Sequence, residues 1–155
     1  MKIYIDNDAC PKMAKEILYK TSKRESIELI FIANSFGRNP SKPLVEYIVV
    51  GEGADVADDK IVELINEGDL VITEDIPLAD RVIKKGGLVV TSRGEELNEN
   101  NIGERLGVRD LMDDLRNIGI NTVTTPPYKQ KDRSQFANTL NRVITKMKKI
   151  NKRAL

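Results

Sequence analysis

Histidine is absent from this chain of 155 residues. That removes imidazole as a general acid or base, His-ligated zinc and any Ser-His-Asp triad. Tryptophan is also absent, and aromatic residues make up only 5%, so stacking platforms for single-stranded nucleic acid would be thin. A lone cysteine excludes an intrachain disulfide and fits a reducing compartment. No apolar run approaches the ~20 residues that span a bilayer. Asp6 and Asp8 interrupt the N-terminus before any signal-peptide core can form. These absences predict a cytoplasmic protein with no membrane partner. A bound metal would be held by oxygen, which points to Mg²⁺ or Mn²⁺ over zinc.

What is present suits a globular fold. The apolar share is 40% and the charged share 32%, and the length suits one domain with its own core. That domain is expected over residues 1–150, with 151–155 as a short basic tail. The charge is uneven: residues 129–153 hold nine of the 25 basic residues and only one of the 24 acids, Asp132. Such a segment is either a solvated helix face or a grip for a polyanion.

The pattern alternates strands and helices. Residues 2–6, 27–33, 45–50, 70–73 and 88–91 are β-branched or apolar and read as strands. Helices are expected from near Cys10, with Pro11 at the first helical position, and over about 55–66 and 77–85. A further helical region spans 101–117 with a break near Gly107. The last helix runs from Arg133 to Lys149, with Asp132 and Gln135 resembling a capping box. This predicts a three-layer α/β/α fold around a mostly parallel sheet of about five strands. The connection from 27–33 to 45–50 lacks a helix, so one of those strands is expected to pair antiparallel or to lie at an edge.

In such a sheet ligands bind where the strands end. Asp6 and Asp8 follow the first strand, Asp58 and Asp59 open the helix after the third, and Asp75 follows the fourth. Asp58 precedes Ile61 by three positions and shares its inward stripe, which marks it as the inner ligand, with Asp59 further round as a water-mediated partner. Close carboxylates repel one another, and a divalent cation relieves that conflict. The start of the helix near Cys10 adds free N–H groups for a phosphate. Each acid taken singly is equally a helix cap or a first-turn acid.

Two rival chemistries share the stretch. Asp6-Asn7-Asp8-Ala9-Cys10 also matches the nucleophile and acid of haloacid-dehalogenase-type phosphatases, with Ser35 and Asp75 in supporting positions. Pro11 leaves no room for the turn and hairpin that follow that motif. A cysteine phosphatase fails because Glu16 stands where its Arg belongs. Candidate phosphate contacts are Ser35 and Arg38 in the loop after the second strand, Arg93 after the fifth, Arg109 with Asp110 at a helix start, and Lys131 and Arg133 at the last helix.

Asp6-x-Asp8-Ala9-Cys10-Pro11, Ala57-Asp58-Asp59, the run from Asp69 to Ala79, Arg109-Asp110-x-Met112 and Asp132-Arg133-x-x-Phe136-Ala137 resemble the bacterial YaiI/YqxD family over nearly the whole chain. That family is similar to the PIN-like nucleases. The resemblance implies Mg²⁺- or Mn²⁺-dependent cleavage of nucleic acid, RNA before DNA. Asp6, Asp8, Asp58 and Asp75 would be catalytic metal ligands, Asp8 being an addition of the family's own motif, and Asp59 a further metal ligand. Asn7 departs from the Ala that relatives commonly carry. A non-catalytic nucleic-acid-binding module is the remaining alternative, and a homodimer is compatible with the chain.

Overall fold

The computed structural model describes all residues except 36, 38, 54, 122–125 and 154–155. It contains a six-stranded sheet in the order β3-β2-β1-β4-β5-β6. The strands are β1 (Lys2–Asp6), β2 (Glu28–Ala33), β3 (Val45–Val49), β4 (Leu70–Ile72), β5 (Leu88–Val90) and β6 (Glu96–Leu97). Five are parallel; β6 runs antiparallel to β5. The helices are α1 (Lys12–Glu25), α2 (Val56–Leu64), α3 (Ile76–Lys84), α4 (Ile102–Asn117) and α5 (Gln130–Arg153).

Period-two alternation splits the core between the faces of the sheet. Ile3, Ile5, Leu29, Phe31, Leu70, Ile72 and Val90 meet α1 and α5 on one side. Tyr4, Ile30, Ile32, Val71 and Val89 meet α2, α3 and the start of α4 on the other. This is the expected three-layer α/β/α architecture. The buried carboxylate of Asp69 accepts from the backbone N–H of Lys2 at 3.0 Å and of Asn66 at 2.9 Å, so its burial carries hydrogen bonds.

Several local expectations are corrected. β3 lies at the sheet edge, as one alternative held, but pairs parallel to β2. An extended chain advances about 3.4 Å per residue, so the helix-free loop from Asn34 to Leu44 is long enough to return past β2. β6 went unforeseen because two residues carry no periodicity. α4 is continuous through Gly107, where a side chain would meet open space; an exposed glycine weakens a helix without breaking it. Pro11 is the N-cap of α1, preceded by a 3₁₀ turn at Asn7–Ala9. Asp132 sits inside α5 and reaches back to the N–H of Lys129 at 2.8 Å, which is the returning half of a capping box. α5 continues past Lys149 to Arg153, where Asn151 Nδ2 donates to the carbonyls of Met147 and Gly68.

Among the described residues no helix is long and apolar enough to cross a membrane. α4 buries only Ile102, and Val108 and Leu111 on its outer half are exposed.

Candidate functional site

β1 and β4 are neighbours in the centre of the sheet. The helix after β1 packs on one face and the helix after β4 on the other. Diverging connections open a crevice at the carboxyl ends of that strand pair. Asp6 is the last residue of β1, and Asp75 caps the helix after β4.

Strand parity then selects the partners. Asp6 has the parity of Tyr4, whose side chain packs toward α2 and α3. Asp58 is in the first turn of α2, and Asp75 begins α3. All three carboxylates therefore meet on one side of the crevice. Burial, then the charges of Asp8 and Asp75, push the Asp6 carboxyl above its usual range. The Asp8 backbone N–H partly offsets this by donating to Asp6. Asp58 is pushed further, to about 7, by burial first, then by Asp75 and Asp6, and it shares a hydrogen bond with Asp75. A hydrogen bond between two carboxyl groups requires a proton on one of them. Asp75 is a cap as well: its Oδ1 accepts from the N–H of Leu78 at 3.0 Å.

The other acids have separate attachments. Asp8 is exposed, and its Oδ2 accepts from the N–H of Asn34 at 3.0 Å, tying the ends of β1 and β2 together. Asp59 points to Arg81, with Oδ1 2.8 Å from Nη1, on the outer side of α2. That rotation away from Asp58 follows from adjacent positions on a helix lying about 100° apart.

The donor set fits a hard divalent cation in kind, because carboxylate oxygens suit Mg²⁺ or Mn²⁺. Asn7, in the turn between Asp6 and Asp8, adds a buried Oδ1 with no hydrogen-bond partner. The placement of these carboxylates is another matter: among the described residues no three Asp, Glu or Cys side chains form a group that could hold a metal ion, so the acids as they stand are not a ready cation cage.

The expected phosphate contacts are dispersed. Ser35 is exposed in the loop after β2, and Arg38 lies outside the described residues. Arg93 is engaged by Asp132 at 3.0 Å, by the carbonyl of Pro126, and by the Tyr128 ring, 5.7 Å from its guanidinium. Arg109 does not open a helix. It lies midway along α4 and pairs with Asp113, not Asp110. Lys131 and Arg133 sit in the first turn of α5, next to the Arg93–Asp132 pair, without an ion pair among the described residues. Further along α5, Arg142 and Lys146 bind Glu96, and Lys148 binds Glu25. Three of the segment's nine basic residues are thus paired with acids from other elements.

Sequence reasoning missed a clasp beside Asp75. Glu74 Oε1 accepts from the Ser92 N–H at 2.8 Å and from the Ser92 hydroxyl, joining the ends of β4 and β5. Tyr128 donates to the Ser92 carbonyl at 2.7 Å. Nothing in the sequence distinguished Glu74 from an exposed acid; only the β4–β5 pairing brings Ser92 to it. Cys10 is covered enough that burial pushes its thiol up to about 12, so it is protonated and inert at neutral pH.

The family model described as "Uncharacterized BCR, YaiI/YqxD family" matches residues 4–146. A UPF0178 protein of Colwellia psychrerythraea is 48% identical over 149 residues, covering 96% of this chain and 99% of that protein. A second UPF0178 protein, from Desulfotalea psychrophila, is 45% identical over 96% of this chain and 100% of its own length. A third, from Shewanella piezotolerans, is 47% identical. No solved structure matches the chain. Neither the family description nor these names state an activity. Matched along almost its entire length, the chain belongs to the YaiI/YqxD family.

Proposed function

We propose that the chain is a divalent-cation-dependent nuclease of the PIN-like kind, acting on RNA at the crevice between β1 and β4. The observation that supports this most is the meeting of Asp6, Asp58 and Asp75, drawn from three separate elements, with Asp58 pushed to about 7. A fold gains no stability by gathering like charges. Perturbed carboxyls at a sheet's switch point mark a functional site.

Asp6, Asp58 and Asp75 would have to draw closer than they stand to hold the cation, with Asp8 adding negative charge from its anchored position on Asn34. Bound there, Mg²⁺ or Mn²⁺ would supply Lewis-acid charge to a phosphodiester. A cation would compete with the proton on Asp58, whose carboxyl is pushed to about 7, so binding would be tighter at higher pH. Lys131 and Arg133 would attract the RNA backbone beside the crevice. Arg93, fastened to Asp132, positions the start of α5 beneath them. Asp59, bound to Arg81, serves as an outer support.

The phosphatase alternative is weaker because the 3₁₀ turn at Asn7–Ala9 leads through Pro11 into α1 with no intervening hairpin. The binding-module alternative is weaker because Arg142, Lys146 and Lys148 on α5 are already engaged by Glu96 and Glu25, although the other basic residues of the segment are not.

The test is cleavage of a labelled single-stranded RNA with Mn²⁺, beside a DNA strand of the same sequence. Asp6→Asn and Asp75→Asn are expected to lose at least about a hundredfold in rate, roughly 2.7 kcal/mol of barrier. Undiminished cleavage by Asp6→Asn would overturn the reading.

A further inference from the structure

A second candidate site lies away from the acids, at the amino end of β3. Tyr19, Lys20 and Lys23 from the second half of α1 and Lys42, Pro43, Leu44 and Val45 line one cavity of about 410 Å³. Enclosed volumes of about 300–1,000 Å³ are the size of small-molecule sites.

Its charge is one-sided. Three lysines line it and no acid does. Lys20, Lys23 and Lys42 form no ion pair among the described residues, although many other lysines and arginines there do. Lys23 lies in the last turn of α1, where a cation also offsets the helix dipole. Lys20 stands nearly a turn earlier and Lys42 on another segment, so that explanation does not cover them. Three unneutralised ammonium groups around one volume favour a dianion over a single carboxylate.

The floor is apolar and fixed. The Tyr19 and Tyr47 hydroxyls are 2.5 Å apart, and Phe31 stacks on Tyr47 with ring centroids 5.0 Å apart. Lys42 Nζ stands 5.3 Å from the centre of the Tyr19 ring. Leu44 is exposed with φ of 64°, a left-handed conformation unusual for a leucine. Such backbone strain is a feature of ligand sites. Inorganic phosphate would leave most of this volume unfilled and the apolar floor unused.

We propose that this cavity binds a nucleotide unit, its phosphate held by Lys20, Lys23 and Lys42 and its ring system laid against Tyr19, Pro43 and Leu44. The unit is a free mononucleotide or one residue of a strand. The site does not depend on the nuclease reading. It lies at the opposite sheet edge from Asp6 and on the α1 side, whereas Asp6 faces α2 and α3.

The test is calorimetric titration of the full chain with adenosine 5′-monophosphate, inorganic phosphate and a six-nucleotide RNA. The mononucleotide is expected to bind, more weakly as salt rises, and to lose at least about tenfold in affinity, 1.4 kcal/mol, in the Lys20→Ala/Lys23→Ala/Lys42→Ala variant. Circular dichroism checks that the variant folds, and the single substitution Lys42→Ala gives a milder second measure. Asp75→Asn is expected to leave mononucleotide binding intact even where it abolishes RNA cleavage. Competition between the RNA and the mononucleotide would assign the unit to a strand; binding of the mononucleotide without competition would assign it to a free ligand. Absence of binding by both, binding unchanged in the lysine variant, or phosphate binding as tight as the nucleotide would each overturn the proposal.

Discussion

The carboxyl groups of Asp58 and Asp75 share a hydrogen bond although they open different helices. This contact lies where α2 and α3 pack through Ala57, Ile61, Ile76 and Ala79 and are joined by the Asp59–Arg81 pair. Asp58 is raised from an ordinary 3.8 to about 7. The folded chain keeps the Asp58 proton at pH values where the unfolded chain has released it, so stability falls as pH rises from about 4 to about 7. Asp6, also raised, acts in the same direction. The Asp58→Asn variant is expected to match the wild type near pH 4 and to exceed its Tm near pH 8. Parallel melting profiles for the two proteins would contradict this.

A cation that replaces the shared proton stabilises the folded chain by mass action. At a concentration about a hundredfold above its Kd, Mn²⁺ would add about 2.7 kcal/mol. Thermal melting near pH 8 with and without Mn²⁺ measures this. The gain is expected to vanish in Asp6→Asn/Asp75→Asn and to shrink near pH 5, where protons compete.

Gly94 lies tight against the backbone of α5 at Gln135 and Phe136. Its φ is 88°, and a side chain there would come within 2.5 Å of the Gln135 carbonyl carbon in α5. Thr139 Oγ1 seals the contact by donating to the Gly94 carbonyl at 2.7 Å. Gly94→Ala combines a left-handed backbone penalty of about 1–2 kcal/mol with a clash of similar size. Denaturant unfolding is expected to show a loss of about 3 kcal/mol, against a gain of up to about 1 kcal/mol for Gly107→Ala on exposed α4.

Asp132 serves two partners, the N–H of Lys129 and the Arg93 guanidinium. Asp132→Ala removes the cap and strands a half-buried cation, so a loss of about 1–2 kcal/mol is expected. Arg93→Ala leaves the cap intact and should be the milder of the two in urea unfolding. The reverse order would mean that Arg93 matters chiefly through its contacts with Tyr128 and Pro126.

Much of the site's placement was legible because strand parity and helix phase are written in short-range patterns. Asp6 follows Tyr4 by two, and Asp58 precedes Ile61 by three, and those spacings already point both acids to the crevice. What stayed illegible depends on pairing at a distance. Glu74 gains meaning only from Ser92 across β4 and β5, and Lys42 only from α1 across the edge of β2. The arginines misled for a related reason. A guanidinium near the expected edge looks available for phosphate until its partner is known, and Arg93 and Arg109 both have one. β3 was hard to orient because a crossover without a helix leaves no periodic signal.

The central pairing of β1 with β4 also has a consequence in time. It joins residues 67 positions apart, as in the bond from Lys2 to Asp69, whereas β1 and β2 are linked by a single helix. Long-range contacts of this kind close slowly. On the ribosome, a chain that has emerged only through α2 carries Asp6, Asp8 and Asp58 but no crevice. Asp75, which follows β4, joins Asp6 and Asp58 only once that strand has paired with β1. A partly made molecule thus carries these acids without the strand pairing that gathers them.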